Sequence, residues 1–432
     1  MADTASAPPA APRRALLEQM ELDLRLVGMI AALVLIALGF HLVTDGRFLT
    51  PRNVFNLAIQ TVSVAIMATG MVFIIVTRNI DLSVGSLLGV CSAVMAMTQT
   101  QWLPQMLGLG FGHPLVAPLT ILVGLAAGTG IGALHGWLVG YQGIPSFIVT
   151  LGGLLVWRNI AWYLTGGQTI GNLDPAILLL GGTNGTLGEG LSWVAGLIAV
   201  AAAAWALMAA RRSKRAHGFA VKPLWAEGLL IALLAAAILG FVAVLNAYQV
   251  PEARLRRTFE LRGEIMPEGY TEGFGIPFSV LILIGVAVVM TVIARRTRFG
   301  RYIFATGGNP EAAALSGINT RALTVKVFAL MGALCAISAV VAQARLTNHT
   351  NDLGTLDELR VIAAAVIGGT ALAGGVGTIW GAILGALIMQ SLQSGMAMVG
   401  VDAPFQNIVV GLVLVAAVFI DSVYRRRLGS RP

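Results

Sequence analysis

The chain of 432 residues is 57% hydrophobic and only 11% charged. An ordinary soluble domain carries roughly 25% charged residues, so this composition excludes a soluble globular protein and indicates a membrane protein. The net charge of +8 does not favour nucleic-acid binding, because the arginines lie in short loops between apolar runs and not on one aromatic-rich face.

The first 25 residues are rich in alanine, proline and charge, and no apolar run begins before Leu26. A cleavable signal would need its apolar stretch earlier, so residues 1–25 are predicted to form a disordered cytoplasmic tail before an uncleaved first span. Residues 26–424 are predicted to form a single transmembrane domain. Residues 425–432 are predicted to form a basic cytoplasmic tail.

Apolar runs of near-bilayer length predict an all-α, polytopic membrane fold with about 12 spans, in a range of roughly 10 to 12. The predicted spans lie at about 26–44, 54–76, 83–99, 115–139, 145–164, 191–210, 226–247, 277–294, 323–344, 379–399 and 404–421. A further apolar run at 361–373 is too short to cross comfortably and is predicted to be a broken or re-entrant helix.

Lysine and arginine residues predict which loops face the cytoplasm. They concentrate at 211–222, at 295–326 and near the C-terminus, whereas the loop at 165–190 has none. Cytoplasmic loops carry an excess of these residues, so both termini are predicted to be cytoplasmic. The predicted outer loop at 248–276 is an exception, since it carries several arginines together with glutamates.

The stretch TRNIDLSVGSLLGV at 77–90 places polar residues between two apolar spans. One interpretation is an ordinary interhelical turn in which Asp81 or Ser83 caps a helix. The other is a break in the helix near a translocation path, because ionisable residues at membrane depth usually face a cavity or a partner. On the second interpretation the path residues are Asn79, Asp81, Ser83, Gly85 and Thr150.

The stretch GGNPEAAALSGIN at 307–319 predicts a very short helix in a polar loop. Asn309 can cap it, Pro310 suits its first position, Glu311 favours its first turn and Gly317 ends it. At about 1.5 Å per residue the helix is far too short to span a bilayer, so we expect it to dock on another surface. A lipid-interface helix is the alternative, although the alanine-rich sequence favours a protein groove.

Small residues at Gly377, Gly381 and Gly385 repeat every four positions and predict a close helix-packing face. The double glycines that precede them could instead mark the unwound point of a broken helix. Cys91 and Cys335 lie inside apolar runs and predict neither a disulfide nor a metal site. No G-x-x-x-x-G-K-[ST] motif occurs, so this chain is not expected to bind ATP, and no cofactor or metal is predicted.

Several of these motifs resemble one known family. IDLSVG at 80–85, GIPSFIVTLG at 143–152, GRYIFATGGNPEAA at 300–313, SGIN at 316–319 and VIGGTALAGGVGT at 366–378 together resemble the permease subunit of bacterial binding-protein-dependent sugar ABC transporters. The chain is most similar to the xylose permeases of the ribose, arabinose and xylose branch. It departs from the ribose permeases by an inserted apolar hairpin at about 190–247 and a charged outer loop at 248–276.

The resemblance implies an inner-membrane permease that does no covalent chemistry and imports a monosaccharide, a pentose such as D-xylose. It implies three protein partners: an ATP-binding cassette ATPase subunit, a periplasmic sugar-binding protein and a second permease copy in a homodimer. An ion-coupled secondary transporter of a small polar solute remains the alternative. The resemblance assigns ATPase coupling to Asn309, Pro310, Glu311, Ala312, Ala313, Leu315, Ser316, Gly317 and Asn319.

Overall fold

A computed structural model of the protein describes residues 24–219 and 221–429, and they fold into a bundle of helices. The first nine helices are α1 (Leu24–Val43), α2 (Pro51–Val76), α3 (Val84–Met97), α4 (Leu103–Leu107), α5 (Val116–Gly140), α6 (Ser146–Thr165), α7 (Pro175–Leu178), α8 (Gly188–Ala216) and α9 (Leu224–Asn246). The others are α10 (Glu252–Leu261), α11 (Phe278–Arg296), α12 (Arg298–Gly308), α13 (Pro310–Leu315), α14 (Thr320–Leu346), α15 (Asp357–Ile367), α16 (Ile379–Met398) and α17 (Ala403–Gly429).

Nine of the described helices are long and apolar enough to cross a membrane, namely α1, α2, α5, α6, α8, α9, α11, α14 and α16. Helix α17 contributes a shorter apolar stretch, Ala403–Phe419. Helix α3 continues through a π-helical turn, Thr98–Trp102, directly into α4, which extends this helix beyond its α-helical part. The predicted all-α, polytopic class is therefore confirmed.

The core of the bundle is built around α2, α3 and α14. Every residue of α3 except Val94 is buried, which explains its continuous apolar sequence. Helices α5 and α14 cross in backbone contact, because a Cβ atom on Gly332 would collide with the carbonyl oxygen of Gly128. The pair α8 and α9 lies at the periphery and is mostly exposed, as expected for helices that face lipid.

After α14 the chain passes back through the bundle, and the first part of this passage is not helical. Residues 347–356 run as an irregular segment beside α3, where Nδ1 of His349 lies 3.0 Å from Oγ of Ser92. Further along, Gly354 comes into backbone contact with Gly85 of α3. Helix α15 then completes the crossing, and its C-terminal end packs against α16. We call residues 347–367 the discontinuous crossing.

The short element predicted at 361–373 is this half-helix, but its predicted bounds were displaced. Helix α15 begins at Asp357 and ends at Ile367, and residues 368–378 form a loop. Gly369 in this loop has a φ of +87°. A backbone in that region does not continue a right-handed helix, so the apolar sequence after Ile367 does not stay helical.

The two ends of the bundle carry different loops and short helices. One end, called the basic end, holds residues 77–83, helices α12 and α13, the loop at 368–378 and the basic segment at 211–222. The opposite end, called the loop end, holds the connections at 166–187 and 247–277. Most of the predicted N-terminal tail lies outside the described residues, and helix α17 continues through residues 425–429.

Candidate functional site

A polar cavity of about 640 Å³ opens toward the loop end of the bundle. Helices α2, α14, α15, α16 and α17 and the irregular segment at 347–356 contribute to its wall. Its polar lining residues are Gln60, Ser63, Arg345, Thr350, Asp352, Thr355, Asp357, Arg360, Gln390, Gln393, Ser394 and Gln406. Membrane proteins tolerate irregular backbone at membrane depth only where it is buried in protein or lines a cavity. The discontinuous crossing satisfies this condition by lining the cavity.

Arg158 of α6 holds the irregular segment in place. Its Nη1 atom donates to the carbonyl oxygens of Asn351 at 2.9 Å and Leu353 at 2.7 Å. These carbonyls have no helical partner, so the guanidinium satisfies acceptors that would otherwise be costly to bury. The sequence prediction assigned no role to Arg158, because a single arginine within an apolar run does not indicate which backbone it contacts.

Some polar groups of the cavity wall form no hydrogen bond within the described part of the chain. Gln390 Nε2 donates to Gln60 Oε1 at 2.9 Å, and Arg360 Nη1 lies 3.1 Å from Asp357 Oδ1. Among residues 24–219 and 221–429, the Nε atom of Arg360 is buried and finds no hydrogen-bond partner. The side chain of Gln393 makes no hydrogen bond within that part of the chain either. Amides, two carboxylates and two guanidinium groups around one space suit a small solute rich in hydroxyl groups.

A second polar region, the Asp81 cluster, lies at the start of α3 and consists of Asp81, Ser83, His135 and Trp157. Asp81 Oδ1 accepts from the Ser83 amide at 2.9 Å and from the Ser83 hydroxyl at 2.6 Å. Trp157 Nε1 donates to His135 Nε2 at 2.8 Å. An indole nitrogen can only donate, so His135 must carry its proton on Nδ1, which faces Ser83 Oγ at 3.3 Å.

The predicted path residues gather around this cluster and do not line the polar cavity. Thr150 Oγ1 donates to the Ser146 carbonyl at 2.9 Å and lies 3.3 Å from the carbonyl oxygen of Ile80. Asn79 bonds to Thr77. Gly85, which follows the cluster, contacts Gly354 of the cavity wall, so the two polar regions meet there.

The helix predicted in GGNPEAAALSGIN is α13, and its capping residue is the predicted one. Asn309 Oδ1 accepts from the Ala312 amide at 3.0 Å, and Pro310 is the first helical residue. Gly317 follows the helix with a φ of +84°. Ala313 is only 5% exposed and packs within this chain, whereas Leu315 is 90% exposed. A partner at this surface would therefore contact Leu315 before Ala313.

Glycines at the start of α16 approach neighbouring backbones closely. A Cβ atom on Gly381 would collide with the carbonyl oxygen of Gly368, and one on Gly385 would collide with that of Ala364. Gly377 precedes the helix and contacts the side chains of Val72 and Val76 in α2. These contacts join α16 to the half-helix α15, and through it to the cavity wall.

Comparison with known proteins gives the family. The family described as "Branched-chain amino acid transport system / permease component" matches residues 53–215 and 176–418. The chain belongs to this permease family. No solved structure gave a significant match to the permease.

Three curated relatives of the permease cover nearly its full length. The xylose transport system permease protein XylH of Escherichia coli is 39% identical over 406 residues, which is 94% of each chain. The XylH of Haemophilus influenzae is 37% identical over 411 residues, 94% of this chain and 98% of its own. The ribose import permease protein RbsC of Escherichia coli is 31% identical over 394 residues, 91% of this chain and 92% of its own.

Sequence reasoning missed most residues of the two polar regions. His135 lies 52 residues from Ser83 along the chain, and only the packing of α3 against α5 and α6 brings Asp81, His135 and Trp157 together. The glutamines of α2 and α16 were also missed, although Gln60 and Gln390 are polar residues in apolar helices and could have been flagged as cavity-facing. Within the described ranges, no cluster of His, Cys, Asp or Glu could hold a metal ion.

Proposed function

We propose that this chain is the membrane-spanning permease subunit of an ATP-driven importer of a monosaccharide, a pentose such as D-xylose. Identity of 39% over 94% of the xylose permease of Escherichia coli carries the proposal. The ribose permease supports the wider assignment to a sugar at lower identity. The family description names branched-chain amino acids, but glutamines, acids and arginines around the cavity suit hydroxyl groups better than an aliphatic side chain.

In the proposed assembly, two permease copies lie in the inner membrane and the loop end faces the periplasm. A periplasmic binding protein delivers the sugar to the loop end, and an ATPase subunit binds the basic end. Both termini are then cytoplasmic, in agreement with the lysines and arginines of the basic end. The sugar enters the polar cavity, and Asn79, Asp81, Ser83, Gly85 and Thr150 are proposed to line the inner part of its path.

Residues Asn309–Asn319, called the coupling segment, are proposed to dock in a groove of the ATPase. The exposed Leu315 would supply the apolar contact, and the buried Ala313 would hold the segment on its own chain. Leu315→Asp places a charge in that contact, which costs about 1 to 3 kcal/mol and weakens ATPase binding about 5- to 150-fold. Folding should be unaffected, because Leu315 is almost fully exposed. The matched control is Leu261→Asp, which introduces the same charge at an exposed leucine of the loop end, outside the coupling segment.

An ion-coupled transporter would need an intramembrane acid or base, and Asp81 with His135 is the feature that favours it. The cluster, however, lines no part of the cavity and its hydrogen bonds are made internally. The test is uptake of D-xylose into proteoliposomes that contain the permease, its ATPase and the binding protein. We expect uptake to need ATP and to survive ionophores that collapse proton and sodium gradients. Uptake that stops with the ionophores and ignores ATP would replace the importer with the ion-coupled alternative.

A further inference from the structure

Arg78 joins the end of α12, which directly precedes the coupling segment, to the residues before α3. It follows the C-terminal end of α2 and reaches across to the C-terminal end of α12. Its Nε atom donates to the Gly307 carbonyl at 2.8 Å, and its Nη2 atom donates to the Gly308 carbonyl at 2.7 Å. These carbonyls immediately precede Asn309, the cap of α13. A guanidinium suits this position, because the end of a helix presents unpaired carbonyls and partial negative charge.

The backbone segments around Arg78 are in close contact with one another. A Cβ atom on Gly307 would collide with the Val76 carbonyl oxygen. The same Val76 carbonyl accepts from the Gly375 amide at 3.0 Å. The end of α2, the end of α12 and the loop before α16 therefore form one unit, which Arg78 closes on its solvent side.

Along the chain, Arg78 precedes Asp81 by three residues. The intervening chain is also held, since Asn79 N donates to the Ile74 carbonyl at 3.0 Å and Ile80 N donates to Ser146 Oγ at 3.2 Å. A displacement of the coupling segment that moves Gly307 and Gly308 thus reaches the start of α3 through one side chain and a short, constrained stretch of backbone.

We propose that Arg78 is a positioning residue that transmits movement of the coupling segment to the α2–α3 junction and hence to the inner part of the path. The proposal rests on the proposed function, since it takes the coupling segment to be the contact with the ATPase. A planar guanidinium that donates from two nitrogens fixes both the distance and the direction of its two acceptors. A lysine, with one rotatable ammonium group, does not.

A substitution of Arg78 can test this role without disturbing the fold. Arg78 is exposed, so water can bind the two carbonyls when the side chain is removed. Arg78 also has a φ of +62°, a conformation that asparagine tolerates better than most residues. Arg78→Asn therefore keeps the backbone conformation while its side chain is too short to reach Gly307 and Gly308.

The experiment uses the full transporter in proteoliposomes with D-xylose, and it compares Arg78→Asn, Arg78→Lys and wild type. The matched control is Arg212→Asn, which removes one exposed arginine of the basic end outside this contact. We expect Arg78→Asn to retain its ATPase on purification and to keep its basal ATP hydrolysis. We expect its uptake, and its stimulation of hydrolysis by sugar-loaded binding protein, to fall about tenfold, with Arg78→Lys intermediate. The Arg212→Asn control should behave as wild type.

Two outcomes would overturn the proposal. The first is uptake and stimulation in Arg78→Asn that stay within about twofold of wild type, since a coupling contact of this kind changes equilibria by more. The second is loss of the ATPase on purification, which would make Arg78 part of the docking surface instead of a link behind it. Failure of the proposed function looks different, because wild-type permease would then take up no D-xylose with ATP.

Discussion

The polar cavity and the Asp81 cluster are both polar regions within an apolar bundle, but they use hydrogen bonds differently. In the Asp81 cluster, Ser83 donates to Asp81, His135 Nδ1 lies beside Ser83 Oγ, and Trp157 donates to His135 Nε2. In the cavity, the side chain of Gln393 lines the open space and makes no hydrogen bond within the described part of the chain. In this conformation the cavity therefore offers free hydrogen-bonding groups to a solute, whereas the hydrogen bonds of the Asp81 cluster are made within the protein.

Substitution of Asp81 should have the largest effect on folding. Asp81→Leu leaves the buried amide and hydroxyl of Ser83 without an acceptor, which we expect to cost about 3 kcal/mol. The measurement is permease abundance in membranes together with the apparent melting temperature of the purified protein in detergent. Wild-type abundance and melting temperature in Asp81→Leu would show that the cluster contributes little to stability.

The matched variant Asp81→Asn keeps an oxygen acceptor and should cost at most about 1 kcal/mol. This variant distinguishes a role of Asp81 in folding from a role in the proposed path. If the carboxylate charge serves the path, Asp81→Asn accumulates normally and its D-xylose uptake falls. Wild-type uptake by this variant would remove Asp81 from the path and leave it a structural residue.

A cavity substitution should show the opposite pattern, with transport lost and stability kept. Gln393→Leu retains most of the side-chain volume and breaks no hydrogen bond within the described chain. We expect an unchanged melting temperature and about a tenfold loss of uptake, the effect of roughly 1.4 kcal/mol. The control is Gln99→Leu, because Gln99 Oε1 accepts from the Asp174 amide at 2.7 Å outside the cavity. That control should lower the melting temperature instead.

The smallest effect is expected at the edge of the Asp81 cluster. Trp157→Phe keeps an aromatic ring but removes the donor to His135 Nε2, which should lower stability by about 1 kcal/mol. Trp162→Phe is the matched control, since Trp162 is half exposed on the same helix and makes no hydrogen bond through its indole within the described residues. Equal melting temperatures for the two variants would contradict a structural role for the Trp157 hydrogen bond.

The sequence predicted the helices well where local chemistry determines them. Apolar runs located the long helices, and Asn309, Pro310 and Gly317 located α13, because capping depends on residues close in sequence. The cavity could not be predicted in this way. It exists because the chain after Leu346 leaves the helix and Arg158, almost 200 residues earlier, binds its carbonyls. Such contacts depend on which helices pack together, and periodicity does not contain that information.

The central claim is that the sugar passes through the polar cavity, and thiol modification of one cavity position tests it most directly. Cys91 and Cys335 are buried and can remain, so Gln393→Cys adds a single accessible thiol. D-xylose uptake by this variant is measured in proteoliposomes before and after a bulky, membrane-impermeant thiol reagent. We expect the thiol to react from the loop end and uptake to stop when it does. Complete modification with uptake unchanged would show that the sugar takes another route.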